Sequence, residues 1–291
     1  MIQISNQHLI VTMTQEGGTL TSIRDAKTGR EYLWQGDPAY WTGQAPNLFP
    51  FVGRLYEKTY TLHGKAYPMT IHGFVRHAQM TVEEEQEASC CFLLTDSPET
   101  LAVYPYRFAF RIRYALEGPV LQVAFQVENR SEEPLYCGMG GHPGFNVPLE
   151  EGLTFEDYEL TFPEACTPRQ VVFSPALQVA PERPAYPLEE GRKLPLRHEL
   201  FDLVAVVIAG APRQVTLSSP KGSHGVTVAY PQMPYVGFWH KPQTDAPYVC
   251  IEPWSILPGR DNLVEELSQM PDMTTVAPGQ TFENRWSITI W

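Results

Sequence analysis

Apolar residues recur at every second position along much of this chain, and that period decides the class of fold open to it. Leu121, Val123, Phe125 and Val127 alternate with Gln122, Ala124, Gln126 and Glu128 until Asn129, Arg130 and Ser131 break the run. Successive side chains of a strand point to opposite faces, so this is a half-buried β-strand. From Tyr106 to Tyr114 the same alternation sets Phe108, Phe110, Ile112 and Tyr114 against Arg107, Ala109, Arg111 and Arg113. Glu117, Gly118 and Pro119 join the two runs as a hairpin. Asp25 to Gly29 predicts a second hairpin, between Leu20–Arg24 and Glu31–Trp34. Ser219 to His224 predicts a third, between Val215–Ser218 and Val226–Tyr230.

Helical periodicity is confined to Asp261–Met270, where Leu263, Val264 and Leu267 share a face and Asp261 stands at the cap position. Twenty-seven prolines and 21 glycines are spread as turn punctuation and are not gathered into a linker. With no internal repeat, the expectation is a single domain over residues 1–291. The fold class is all-β, a large antiparallel β-sandwich with one or two short helices. Residues 162–195 carry many prolines and little period, and read as irregular connections.

A hydrophobic content of 43% in 291 residues is enough for a sizeable core. The formal charge of −12 argues against nucleic acid or an anionic membrane as the main partner, since both demand a basic surface. No stretch reaches the ~20 apolar residues of a membrane-spanning helix. The opening residues show no basic segment followed by a long apolar run, so no secretory signal is expected. The five cysteines follow no ligand or framework spacing, and read as buried small hydrophobes in a reducing cytoplasm. Oligomeric state is not legible in such a pattern.

Polar islands interrupt the apolar alternation at four places. They are Asn47-Leu48-Phe49-Pro50-Phe51-Val52-Gly53-Arg54, His72-Gly73-Phe74, Gly141-His142-Pro143-Gly144-Phe145-Asn146 and Cys250-Ile251-Glu252-Pro253-Trp254. Each sets a polar or ionisable residue beside glycine, proline and aromatics, the company of a side chain held at a pocket rim. Glu252 follows the apolar run Tyr248–Ile251, where a lone carboxylate is costly without a task. One glutamate, two histidines and one arginine, with no placed serine or cysteine nucleophile, point to proton transfer on a neutral polar substrate. A metal site at His72 and His77 lacks a third ligand at useful spacing.

At these islands the chain resembles the aldose 1-epimerase (galactose mutarotase-like) family, in particular its bacterial branch of less well-defined sugar epimerases. The resemblance runs in order through Asn47–Arg54, His72–Arg76, Tyr104–Asn146, Phe238–Trp254 and the closing Pro278-Gly279 turn. It implies a β-supersandwich and an isomerase that interconverts the α and β anomers of a sugar, without metal or cofactor. It also implies Glu252 as base, His142 as acid, and His72 and Arg54 as hydrogen-bonding partners of the sugar. Asn47 and Trp239 are further candidate substrate contacts, the indole as a platform for a sugar face.

One departure concerns an aspartate that binds substrate hydroxyls in this family near the start of a strand. Here Val204 aligns with it, and Asp202 stands two residues earlier. A two-residue shift within a strand keeps the face, so Asp202 is the candidate replacement, with a plain surface residue as the equal alternative. Three alternatives stay open. A carbohydrate-binding protein without turnover would use the same pocket. A hexose-6-phosphate mutarotase would need at least two basic residues at the rim, from candidates Arg76, Lys241, Arg107, Arg111 and Arg113. A glycosidase would need a second carboxylate about 5–10 Å from the first, and none stands in a recognisable motif.

Overall fold

The alternating runs pair as their turns dictate. In the computed structural model, which describes residues 1–291, Phe108–Glu117 and Val120–Asn129 form the expected hairpin, with Val120 opposite Glu117. Gln214–Ser218 and Gly225–Ala229 form another. Both belong to a nine-stranded antiparallel sheet. Its order is Lys193–Pro195, Glu159–Thr161, Gln214–Ser218, Gly225–Ala229, Thr281–Ile290, Val120–Asn129, Phe108–Glu117, Ser89–Thr95 and Thr81–Gln86.

A second large sheet of seven strands carries the polar islands. Its order is Arg169–Gln170, Val206–Ala209, Tyr235–Trp239, Tyr248–Trp254, Gly140–Gly141 and Asn47–Leu48, and Gly144–Asn146 also pairs with Tyr248–Trp254. A three-stranded sheet of Ile2–Ser5, Leu9–Met13 and Leu20–Asp25 adds to these.

One core of 62 buried residues draws on both large sheets, as a sandwich requires. Phe49 stacks on Phe110 with ring centroids 4.2 Å apart. Gly141 is needed for the close approach, because a Cβ there would lie 2.6 Å from the Trp286 ring. No helix is long and apolar enough to cross a membrane.

Two expected elements do not form. Asp261–Met270 is not an α-helix and holds only a 3₁₀ turn, Leu267–Gln269. Its backbone is drawn sideways: the Glu265 carbonyl accepts from Thr61 N–H, and the Glu265 carboxylate binds the Arg260 backbone and guanidinium. Asp261 does not cap a helix and accepts from Ser174 Oγ. The single α-helix is Pro98–Val103, started by a reciprocal Ser97–Thr100 capping box with Pro98 in the first turn. Glu31–Trp34 makes only isolated bridges, at Glu31 and Leu33. There the Glu31 carboxylate accepts from Ile23 N–H and Leu33 N–H, taking the place of ladder bonds.

Candidate active site

Tyr248–Trp254 runs inside the seven-stranded sheet with every residue buried. Val249 and Ile251 point into the intersheet core, whereas Tyr248 and Cys250 pack with Trp34 on the opposite side. The period of two therefore sends Glu252 out on the face away from the intersheet core. Gly237 stands opposite Glu252 on the neighbouring strand, and Trp239 stands opposite Cys250. On the other flank Gly140 faces Trp254 and Gly144 faces Cys250, so the connection between those two short strands hangs His142 over the carboxylate.

His142 Nε2 lies 3.2 Å from Glu252 Oε2, and Glu252 is 2% exposed. The His142 ring packs against Trp41 (centroids 5.1 Å, interplanar angle 35°), Trp239 (5.7 Å, 79°) and His72 (5.5 Å, 85°). Its Nδ1 is buried and makes no hydrogen bond.

His72 is held by its backbone. At φ = +64° it occupies the left-handed region, its N–H donates to Gly53 O, and its Nδ1 accepts from Gly53 N–H at 3.1 Å. That acceptance leaves the ring proton on Nε2. Gly73 follows, also at positive φ, where a Cβ would lie 2.1 Å from Phe49 O. No other residue fits this turn.

Burial sets the protonation of these groups. It raises the Glu252 carboxyl well above the usual range; the Trp254 indole N–H works against that rise without reaching ordinary hydrogen-bond geometry. Burial lowers the His142 imidazole to about 4, with the Arg76 charge adding to the effect. His72 is lowered by burial first, then by His142, Arg76 and Arg54. All three groups are thus driven toward their neutral forms.

The groups line one cavity of about 750 Å³, a size that suits a small molecule such as a monosaccharide. Arg54, His72, His142, Trp239 and Glu252 all border it. Asn47 does not. It is 2% exposed, and its Nδ2 donates to Gly17 O (2.9 Å), Gly18 O (3.2 Å) and Tyr114 Oη (3.0 Å), which makes it a clamp between sheets and not a cavity group.

Asp202 lies outside the cavity as well. It follows the 3₁₀ turn His198–Phe201 and precedes the strand Val206–Ala209, and its carboxylate accepts from Gln243 N–H at 3.3 Å. Because this stretch is a bend and not a strand, the same-face argument has no basis there. Its successors Leu203, Val204 and Ala205 line the wall in its place.

Trp41 and Gln44, which no motif of the sequence singles out, also border the cavity, as does Trp254 of the Cys250–Trp254 island. Trp41 sits in the aperiodic run Tyr40-Trp41-Thr42-Gly43, where a large aromatic off any apolar stripe was the available signal. Arg76 borders the cavity too, whereas the other basic candidates do not. Lys241 Nζ donates to Ala39 O, Arg111 pairs with Glu83 and Glu128, Arg113 pairs with Glu84, and Arg107 lies 3.9 Å from Asp96.

One donor set could be mistaken for a metal site. His142, Cys250 and Glu252 offer ligand atoms within 4.8 Å of one another, all buried. Burial first and the Glu252 charge second hold the Cys250 thiol in its protonated form, and thiol is a poor ligand. The set fits a closely spaced acid–base pair better than an ion.

Known proteins place this architecture. The aldose 1-epimerase family profile matches residues 1–289. The LacX proteins of Lactococcus lactis subsp. lactis are 36% identical over 302 aligned positions, covering 99% of each chain. The crystal structure of a galactose mutarotase related enzyme from Lactobacillus acidophilus superposes with a TM-score of 0.94 at 34% identity, covering 99% of this chain and 96% of that one. A galactose mutarotase-like protein from Lactobacillus casei gives the same TM-score at 28% identity, with 100% of both chains covered. The fold is that of the galactose mutarotase-like proteins, and the chain belongs to the aldose 1-epimerase family.

Proposed function

We propose that this protein interconverts the α and β anomers of an aldose by acid–base opening and reclosure of the pyranose ring. The observation that carries the reading is the buried close contact of His142 Nε2 with Glu252 Oε2, 3.2 Å apart, at the wall of a sugar-sized cavity. Mutarotation needs one group to take the anomeric hydroxyl proton and one to give a proton to the ring oxygen. Those two oxygens sit on the same carbon, so the two groups must be near neighbours, as this pair is.

In the proposed cycle the sugar enters between the two groups. Glu252 as carboxylate removes the proton from the anomeric hydroxyl, the C1–O5 bond breaks, and O5 takes a proton from the His142 imidazolium. The free aldehyde turns about its C1–C2 bond. His142 then takes the proton back from O5 as that oxygen attacks the other face of C1, and Glu252 returns its proton to the new anomeric hydroxyl. Each well-placed transfer contributes roughly 10²–10⁴ in rate.

The cycle starts from the same one-proton state as the neutral pair, with the proton on the other partner. Hydroxyls of the bound sugar supply the hydrogen bonds that make the charged arrangement accessible. His72 Nε2–H and Arg54 hydrogen-bond the ring hydroxyls, and Trp239 offers its face to the C–H side of the ring. No metal or cofactor takes part. The chain works as one domain around its 62-residue core, and its five unpaired cysteines support a reducing, cytoplasmic setting.

Polarimetry of freshly dissolved α-glucose and α-galactose tests the reading. The protein should speed the approach to anomeric equilibrium. Binding of these and other sugars by calorimetry without any acceleration would instead identify a carbohydrate-binding protein.

A further inference from the structure

Trp254 closes the strand that carries Glu252, two residues further on and therefore on the same face. It borders the cavity and is 4% exposed, yet its indole Nε1–H is buried without an acceptor. A buried donor left unpaired is costly, and a phenylalanine would form an apolar wall without that cost.

Two glycines fix where the indole lies. A Cβ on Gly140, opposite Trp254 on one neighbouring strand, would stand 3.0 Å from the indole Cδ1. A Cβ on Gly237, opposite Glu252 on the other neighbour, would stand 3.3 Å from Cζ2, 3.4 Å from Cη2 and 3.6 Å from Glu252 Cβ. The ring therefore lies across the sheet between the two glycines and leans back to the level of Glu252. Nε1 is on the ring edge between those contacts, beside the carboxyl that already feels it. The other titratable groups around that carboxyl are His142, which meets Oε2 at 3.2 Å, the Cys250 thiol and the Tyr248 phenol.

A neutral carboxyl is a weak acceptor and a carboxylate is a strong one. The proposed cycle needs Glu252 as carboxylate, its proton having passed to His142, and burial opposes that form. A donor that bonds best to the charged form lowers the cost of reaching it.

We propose that Trp254 is a positioning residue of the acid–base centre, whose indole Nε1–H closes on the Glu252 carboxyl as that group ionises and holds it for proton abstraction. This role rests on the anomer-interconversion reading above and adds a third side chain to its chemistry.

Anomer exchange followed by NMR compares the wild-type protein with Trp254→Phe and with β-(3-benzothienyl)alanine at position 254, which keeps the shape of the indole and replaces N–H by sulfur. With the isostere kcat should fall roughly 5–30-fold while KM stays within about twofold, as expected for loss of part of a charge-assisted hydrogen bond. The alkaline limb of the kcat profile should move upward, because the pair without its donor holds its last proton more tightly. Trp254→Phe should show both changes, with any larger fall in kcat reporting lost packing. Normal kcat and an unmoved limb in the isostere would overturn the role and leave the epimerase reading intact. If the wild-type protein speeds no sugar, the epimerase reading fails and the indole N–H resonance decides the contact alone. That resonance, identified by its loss in Trp254→Phe, should move to lower field as Glu252 ionises with rising pH and stay in place in Glu252→Gln. A resonance indifferent to pH in the wild-type protein would overturn the contact.

Discussion

His142 Nε2 lies 3.2 Å from Glu252 Oε2, and no arginine pairs with that carboxyl group. A buried glutamate tied to an arginine would stay ionised and serve the fold. Here burial raises the acid and lowers its basic partner, which drives both groups toward their neutral forms. The pair is balanced for transfer in either direction, as a reaction with near-equal end states needs.

Glu252→Gln keeps the size and polarity of the side chain, but it cannot accept a proton. Turnover should fall roughly 10²–10⁴-fold, while sugar affinity by calorimetry stays within a few-fold. A rate equal to wild type would remove Glu252 from the mechanism. His142→Asn should behave in the same way.

The pH profile of kcat/KM should be a bell. The pair is competent only with one proton. As pH falls toward about 4 the imidazole gains a second proton and activity declines. As pH rises through the elevated Glu252 pKa the pair loses its only proton and activity declines again. A flat profile across both limbs would show that the pair does not set the rate.

Asn47→Ala should unfold more easily without changing the chemistry of the folded protein. It leaves Gly17 O without its side-chain donor, while Gly18 O keeps the Tyr114 hydroxyl, a loss of about 1–3 kcal/mol by calorimetric melting. Asp202→Asn, outside the cavity, should leave kcat/KM close to wild type. A large drop in kcat/KM for either variant, with folding intact, would return that residue to the site.

Trp41→Ala removes an aromatic wall of His142. Loss of one such ring pair corresponds to about 0.5–1.5 kcal/mol, so kcat/KM should fall up to about tenfold. Trp41→Phe should restore most of it. An unaffected rate would mean that Trp239 and His72 position the imidazole unaided.

Activity should persist after prolonged EDTA treatment, because the Cys250 thiol is held protonated and is a poor metal ligand. Loss of activity restored by a divalent ion would instead make His142, Cys250 and Glu252 a metal centre.

Much of this was legible locally. Alternation at Leu121–Val127 and Phe108–Tyr114, with a glycine–proline turn between, is enough to specify a hairpin, since the period and the turn lie within one stretch of chain. Pro98–Val103 shows the limit of that reading: its capping box was present in Ser97-Pro98-Glu99-Thr100, but a helix of six residues carries too little period to register. Asp261–Met270 errs the other way, because side-chain and backbone bonds to Arg260 and Thr61 outbid a weak local pattern.

The sequence by itself determined the sheet architecture, the polar islands and the chemical kinds present at them, because strand period, turn residues and isolated buried ionisable groups are properties of short segments. Tertiary structure alone decided which of those groups meet. Asn47 lies in a two-residue strand opposite Gly141, too short for its own period to say which face is inward, and pairing turned it to Tyr114 and away from the cavity. Arg76 and Trp41 stand in a 3₁₀ turn and a loop with no pattern at all. They reach the site because a sheet face gathers segments that are distant in the chain, and that gathering depends on long-range register.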